Sequence, residues 1–333
     1  MANSHQLGFD GLNAALKAAG EDTRLRLLAL LAEAELTVSD LTDILRQSQP
    51  RISRHLKLLA EAGLIERFRE GTWAFFRLSE HGGGAEVART LLAHLNPADQ
   101  TIARDRARLV SVRAARAAAA QAYFRSHAVE WDRIRKLHVA DAAVEAAIRA
   151  ALADKPFRSL LDLGTGTGRM LEMFGADIER GLGLDLSLDM LLLARDRLER
   201  AGLKNCSVRQ GDLYDLPLAN DAFDVVILHQ VLHFLDDGGR AIREAARVLR
   251  PGGRLLVVDF APHEQEFLRE QFAHRRLGFA RETVTQWMTA SGLEPLVFKS
   301  LPPEEGGKIA VSLWLARDVR ALMAVPANRN EVA

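Results

Sequence analysis

Two short stretches of this chain hold residues at spacings that do chemistry. One is Asp162-Leu163-Gly164-Thr165-Gly166-Thr167-Gly168, a glycine-rich loop that follows an apolar run and opens a helical one. Small residues at 164, 166 and 168 let a ligand approach the backbone, so the loop suits a dinucleotide or S-adenosylmethionine. A dinucleotide fingerprint wants a third glycine where Arg169 stands, with helix N–H groups aimed at pyrophosphate. S-adenosylmethionine has no phosphate and brings an ammonium and a carboxylate to the loop instead. The other stretch is Ser48 to Leu59. At about 100° per residue Ile52, Leu56 and Leu59 share one face, with Ser53, Arg54 and Lys57 opposite and Gln49 and Arg51 near the N-terminal end. Such a helix fixes itself by its apolar stripe while Gln, Ser and Arg reach base edges and Lys neutralises phosphate. His55 sits at the stripe's edge and reads as packing, whereas Arg67, Arg69 and Thr72 suit the adjacent DNA backbone.

More residues surround the glycine loop. Asp185, in Gly183-Leu184-Asp185-Leu186-Ser187, is placed to accept both ribose hydroxyls, and Asp212, in Gln210-Gly211-Asp212-Leu213, to accept the adenine amino group. Met190 packs on the adenine in this reading, Leu186, Gly211 and Leu213 flank the two carboxylates, and Asp162 and Thr165 complete the loop. His229 follows a strand at a position suited to line the ligand pocket. His229 and His233 are four apart, but Gln230 stands where a zinc-protease helix has glutamate, so no metal site is expected. No catalytic residue is identified.

These residues need scaffolds. From Gly11 to Leu59 leucines and isoleucines recur at three- and four-residue spacing, which predicts successive helices, with Asp22 capping the second and Ser48 with Pro50 opening another that Gly63 ends. Ile65 to Arg69 and Thr72 to Leu78 flank Glu70-Gly71, a two-residue hairpin signal. Helices followed by a hairpin make a winged helix-turn-helix over residues 8–82. Residues 83–150, rich in Ala and carrying Arg104, Arg106, Arg108, Arg113 and Arg116, predict a helical connector and dimerisation region. Residues 151–322 alternate strand and helix: Leu160 to Leu163, Gly181 to Leu184, Ser207 to Gln210, Val225 to Leu228 and Arg254 to Phe260 read as buried strands. Leu296 to Ser300 and Ile309 to Ala316 are expected to form a terminal antiparallel pair, and the tail with Pro326 and Asn328 to fray. The fold class is therefore α/β multidomain.

Glu35 to Leu41, with Ser48 to Leu59 and Ala62-Gly63-Leu64-Ile65, resembles the ArsR-type winged-helix repressors over roughly residues 10–80. That resemblance implies a homodimer on a palindromic double-stranded operator. In metalloid-sensing members cysteines occupy the positions of Thr37 and Ser39, and hydroxyls do not replace thiolates for soft metals. Ligand sensing is thus expected elsewhere. The glycine loop, Asp185, Asp212, Phe223-Asp224-Val225-Val226 and Leu249-Arg250-Pro251-Gly252-Gly253-Arg254 resemble, in order, the class I S-adenosylmethionine-dependent methyltransferases over about residues 155–260. This implies a Rossmann-like, seven-stranded sheet with one antiparallel edge. Tyr123-Phe124 and Trp131-Asp132 resemble the aromatic segment that covers the cofactor in such enzymes, and helix packing explains them equally well.

In domain order and length the chain is similar to S-adenosylhomocysteine-responsive repressors of methionine-cycle genes. The leading expectation is a regulator whose second domain senses S-adenosylhomocysteine or S-adenosylmethionine, with Arg275 or Arg276 near the sulfur and the segment 104–123 as coupling route. An active methyltransferase carrying a DNA-binding domain is the alternative, and a metalloregulator the third. The polar segment His263 to Phe279 lines the acceptor side, carries a coupling surface or is simply solvated. Charge agrees with a split: residues 1–125 carry 17 Lys/Arg against 14 Asp/Glu, the remainder 27 against 30. The single Cys206 excludes an internal disulfide, and with no signal-peptide pattern or ~20-residue apolar run a cytoplasmic, membrane-free protein is expected.

Overall fold

The computed structural model describes residues 6–70, 73–79, 81–127, 141–303 and 309–320. The chain divides into two compact units, Met1–Ala119 and Ala120–Ala333.

The first unit contains α1 (Phe9–Ala19), α2 (Asp22–Glu33), β1 (Leu36–Thr37), α3 (Val38–Leu45), α4 (Gln49–Glu61), β2 (Ile65–Glu70), β3 (Trp73–Leu78), α5 (Gly83–Ala93) and the start of α6 (Gln100–His127). Leu27, Leu28, Leu41, Ile44, Ile52, Leu56 and Leu59, the periodic positions of α2, α3 and α4, make its core. The wing is a three-stranded sheet in the order β1-β3-β2. Strand β1 was not expected; it is two residues long, too short to show a period, and exists by pairing Leu36 with Phe76. Glu21 rather than Asp22 caps α2: Glu21 is extended, and its carboxylate accepts from the Arg24 N–H at 2.9 Å. Thr37 and Asp40 close a capping box at α3, each side chain accepting from the other's backbone N–H. The segment expected to be a connector starts inside this unit. On α6, Asp105 accepts two bonds from Arg26 of α2, at 2.6 and 2.7 Å, Arg106 pairs with Glu33, and Arg108 donates to the Ile44 carbonyl at 3.0 Å.

In the second unit α7 (Asp141–Leu152) leads into β4 (Ser159–Leu163), α8 (Arg169–Phe174), β5 (Arg180–Asp185), α9 (Leu188–Arg200), β6 (Cys206–Gln210), β7 (Phe223–His229), α10 (Gly238–Val248) and β8 (Leu249–Phe260). Then come α11 (Phe267–Phe272), α12 (Arg281–Ala290), β9 (Leu293–Leu301) and β10 (Val311–Asp318). The seven-stranded sheet runs β6-β5-β4-β7-β8-β10-β9. The expected terminal antiparallel pair is β9 with β10, and β10, inserted between β8 and β9, is the strand that runs against the others. Alternate residues of each strand face opposite sides, so one sequence builds two cores. Val225, Ile227, Leu256 and Val258 pack with Val144, Leu191 and Leu268 on one face; Val226, Leu228, Leu255 and Val257 pack with Ile242, Val284 and Met288 on the other. Each such side chain contributes about 1.5–3 kcal/mol of burial. The result fixes the carboxyl ends of β4, β5, β7 and β8, where open α/β sheets bind ligands.

Candidate functional site

At the end of β4 the chain turns through Gly164, Gly166 and Gly168, all at positive φ (71°, 51° and 82°). A Cβ on Gly164 would lie 2.3 Å from Val231, and one on Gly183 2.6 Å from Thr165, so the loop packs tightly on β5 and on the segment after β7. Its own N–H groups are largely spent. Gly164 and Thr165 both donate to the Leu184 carbonyl, Gly168 donates to Thr165, and Gly166 donates to Asp185 Oδ2 at 2.9 Å. Arg169, in place of the third dinucleotide glycine, points back to Glu145 and Glu172 at 2.6 to 2.7 Å, and Arg197 donates to the Thr167 hydroxyl. A loop with four N–H groups engaged internally, followed by a six-residue helix, is poorly equipped to cradle a pyrophosphate. Its three glycines leave the backbone open to close approach by a ligand without pyrophosphate.

Asp185 is the polar centre. Its Oδ1 accepts from the Ser187 N–H at 2.8 Å and its Oδ2 from Gly166. The residue keeps some solvent access, yet protein crowds its carboxyl: desolvation raises its pKa above the ordinary carboxylate value, against the N–H bonds from Ser187, Gly166 and Leu186 that lower it. Among the described residues no cation neutralises it. A desolvated acceptor with lone pairs to spare matches a vicinal diol, whose two hydroxyls donate. The Gly211 N–H donates to the Asp185 carbonyl and Gln210 to that of Leu186, which ties the β6 end to the β5 end. Asp212 is exposed, with Oδ1 accepting from Tyr214 N–H at 2.9 Å.

The other residues expected here divide by depth. Leu186, Gly211 and His229 are half-buried at the strand ends. Asp162 is 1% exposed and accepts from the Thr165 hydroxyl at 2.6 Å, beneath the loop. Leu213 lies in the core and Met190 is 2% exposed, so neither offers a surface without rearrangement. Arg275 is paired with Asp236 at 2.6 Å, which neutralises the charge expected near the sulfur. The side chains of Tyr123 and Phe124, and all of Trp131 and Asp132, lie outside the described residues.

On the first unit, Gln49, Arg51, Ser53, Arg54 and Lys57 of α4 are exposed while Ile52, Leu56 and Leu59 are buried. His55 is turned inward, 3.5 Å from Glu21, and burial pushes its pKa below the ordinary imidazole value against the pull of that carboxylate. Arg69 is exposed on β2, an outer strand of the wing; Thr72 lies outside the described residues. Among the described residues no His, Cys, Asp and Glu group could hold a metal, and no helix is long and apolar enough to cross a membrane.

Sequence reasoning missed one group. His233, just after β7, hydrogen-bonds Asp259 on β8, with Nδ1 2.7 Å from Oδ1, and both are buried. The partners are 26 residues apart and meet only through strand pairing. The apolar run ending in an acid, Val257-Val258-Asp259, was the one available signal.

Residues 161–257 match the methyltransferase-domain family and residues 21–67 the bacterial regulatory protein, arsR family. Among curated proteins the chain is 29% identical to the uncharacterized methyltransferase YcgJ of Bacillus subtilis, over 43% of the chain and 58% of that protein. It is 34% identical to the uncharacterized protein YafE of Escherichia coli, over 43% of the chain and 72% of that protein. The chain thus spans little more than half of the first relative. A chain in the complex between the Haloferax volcanii Trm112 methyltransferase activator and a methyltransferase superposes with a TM-score of 0.50 at 21% identity, covering 63% of this chain and 99% of that one. That likeness is one of fold.

Proposed function

Because this chain belongs to the S-adenosylmethionine methyltransferase family in its second unit and carries an arsR-family regulatory domain in its first, we propose that it is a DNA-binding transcriptional regulator whose grip on operator DNA responds to an adenosyl ligand. The ligand is S-adenosylmethionine or S-adenosylhomocysteine. One observation carries the reading: the exposed polar face of α4 and the desolvated Asp185 stand in one chain joined by α6, which is hydrogen-bonded to the end of α3, just before α4.

In this reading Asp185 accepts the ribose hydroxyls, Leu186 covers one adenine face and Asp212 accepts the amino group. The loop backbone at 164 to 168 meets the methionine portion. When bound, S-adenosylmethionine supplies an electrophilic methyl group; S-adenosylhomocysteine lacks it. Gln49, Arg51, Ser53 and Arg54 read bases, and Lys57 and Arg69 contact phosphate. The exposed apolar Phe9, Leu12 and Leu16 of α1, at 85, 41 and 47% exposure, support a homodimer, and the arsR likeness supports repression in the cytoplasm. Methionine-cycle genes are the targets this reading favours.

The experiment is operator binding, by fluorescence anisotropy, titrated with each adenosyl compound. A ligand shifts the DNA equilibrium only by its differential affinity for the bound and released states. Equal DNA affinity with and without saturating ligand would refute the regulator and leave a methyltransferase with an attached winged helix.

A further inference from the structure

Gln230, the residue that follows β7, combines burial with an unspent amide. Its backbone is left-handed, at φ 51°, a conformation uncommon for a residue with a Cβ, and its N–H donates to the Val258 carbonyl of β8 at 2.7 Å. The residue is 8% exposed. Among the described residues, however, no group hydrogen-bonds its carboxamide, whose nitrogen and oxygen both keep contact with solvent. Polar groups so deeply placed ordinarily have partners, because an unmatched one carries its full desolvation cost. The next residue, Val231, lies against the glycine loop: a Cβ on Gly164 would come within 2.3 Å of it. Gln230 therefore stands where β7 meets the loop that follows β4, at the carboxyl ends of two adjacent strands. In the adenosyl reading adenine lies over β6, ribose over β5 and the methionine portion over that loop. Sulfur joins ribose to methionine, so its third position, the methyl of the sulfonium or a lone pair of the thioether, is turned toward β7, the next strand in the sheet.

We propose that Gln230 faces that third position and sets the preference of the site between sulfonium and thioether. This rests on the adenosyl reading above and goes further by naming the residue that tells the two ligands apart. A carboxamide is neutral and carries both an acceptor and a donor. Turned one way it presents its oxygen to the electron-poor methyl of the sulfonium; turned the other it presents an N–H to the weakly accepting thioether sulfur. A carboxylate at this place would attract the sulfonium, and a cation would repel it. Nearby charges are otherwise engaged: Asp162 accepts from the Thr165 hydroxyl beneath the loop, and Arg275 is paired with Asp236. The neutral amide thus lets the cleft keep S-adenosylhomocysteine after the methyl and its charge are gone, which is what a sensor of that compound requires.

The test is calorimetry of S-adenosylmethionine and S-adenosylhomocysteine on the full-length protein, Gln230→Glu and Gln230→Lys, read as the ratio of the two dissociation constants. The unmodified chain is expected to bind both, within about tenfold of one another, as befits a neutral hydrogen bond exchanged for another. Gln230→Glu is expected to move the ratio about 10-fold or more toward the sulfonium, and Gln230→Lys about as far toward the thioether, since one charge then acts on another across a partly desolvated cleft. Thermal unfolding identifies a variant that does not fold, and the other then decides alone. A residue that only shapes the turn after β7 would change both affinities together and leave their ratio where it was, and an unchanged ratio in a folded variant overturns the proposal. So does an unmodified chain that binds the sulfonium and not the thioether, an outcome that spares the adenosyl reading. Binding of neither compound by the unmodified chain removes that reading and this proposal together.

Discussion

At Asp185 desolvation sets a carboxylate apart from an exposed one, and the proposed adenosyl reading gives it the ribose hydroxyls. Protein crowds the carboxyl, so a hydroxyl that donates to its anion would form a charge-assisted bond little weakened by solvent. Asp185→Asn is expected to weaken S-adenosylhomocysteine binding by about 10- to 100-fold, the equivalent of roughly 1.5–3 kcal/mol, in calorimetry. The ligand effect on DNA should vanish while unliganded operator affinity stays intact. Desolvation raises this pKa above 3.8, so on acidification the anion is lost sooner than from an exposed aspartate, and ligand affinity should decline at a correspondingly higher pH. Asp224 behaves in the opposite sense. Burial raises its pKa, but the Arg250 guanidinium, the Ser159 hydroxyl and the N–H groups of Arg158 and Ser159 outweigh that and hold it at about 2. The folded state therefore binds this proton less tightly than the unfolded chain. The stabilisation is complete above 3.8 and is lost as pH falls through about 2. Asp224→Ala should cost about 1–2 kcal/mol at neutral pH, discounted for its solvent-facing side, and the gap in urea unfolding should close in acid.

Among elements, the proposed regulator gives α4 and α6 distinct tasks that substitution can separate. Lys57→Ala should weaken binding to all DNA sequences alike and lower the salt slope by about 1, whereas Arg54→Ala should cost roughly 1–3 kcal/mol on the operator and relax specificity. Arg108→Ala removes the bond to the Ile44 carbonyl at the end of α3. It is expected to shrink the ligand effect on operator binding while S-adenosylhomocysteine affinity holds, read by anisotropy and calorimetry together. The elements themselves were mostly legible. Short continuous apolar runs in Val225 to Leu228 and Arg254 to Phe260 exposed the central strands, which are buried on both faces, and the helical spacing of Ile52, Leu56 and Leu59 exposed α4. The loop and Asp185 were legible for the same reason, being tied to strand ends. What escaped depended on pairing across the fold. β1 exists only against β3, β10 slots inside β9, and the His233–Asp259 bond needs β7 beside β8. Burial also escaped: nothing local tells that Met190 is closed off while Leu186 stays half-open.

At the scale of the whole molecule, two ligands on one chain obey reciprocity. Whatever factor the adenosyl compound imposes on operator affinity, operator DNA must impose on the adenosyl affinity. Calorimetry of S-adenosylhomocysteine with and without saturating operator should return the ratio found by anisotropy in the converse titration. Coupling of about 1–3 kcal/mol is the ordinary range, a 5- to 150-fold change.

The capping box at Thr37 and Asp40 constrains what can be substituted there. The Thr37 hydroxyl that occupies the metalloid-binding position is already committed to starting α3. Placing a thiol pair there by Thr37→Cys and Ser39→Cys would forfeit that cap, roughly 0.5–2 kcal/mol, at the foot of the helix-turn-helix. A thiol pair at this turn is thus opposed by folding before any soft metal could bind it, and the double variant should unfold at lower urea than the unmodified chain.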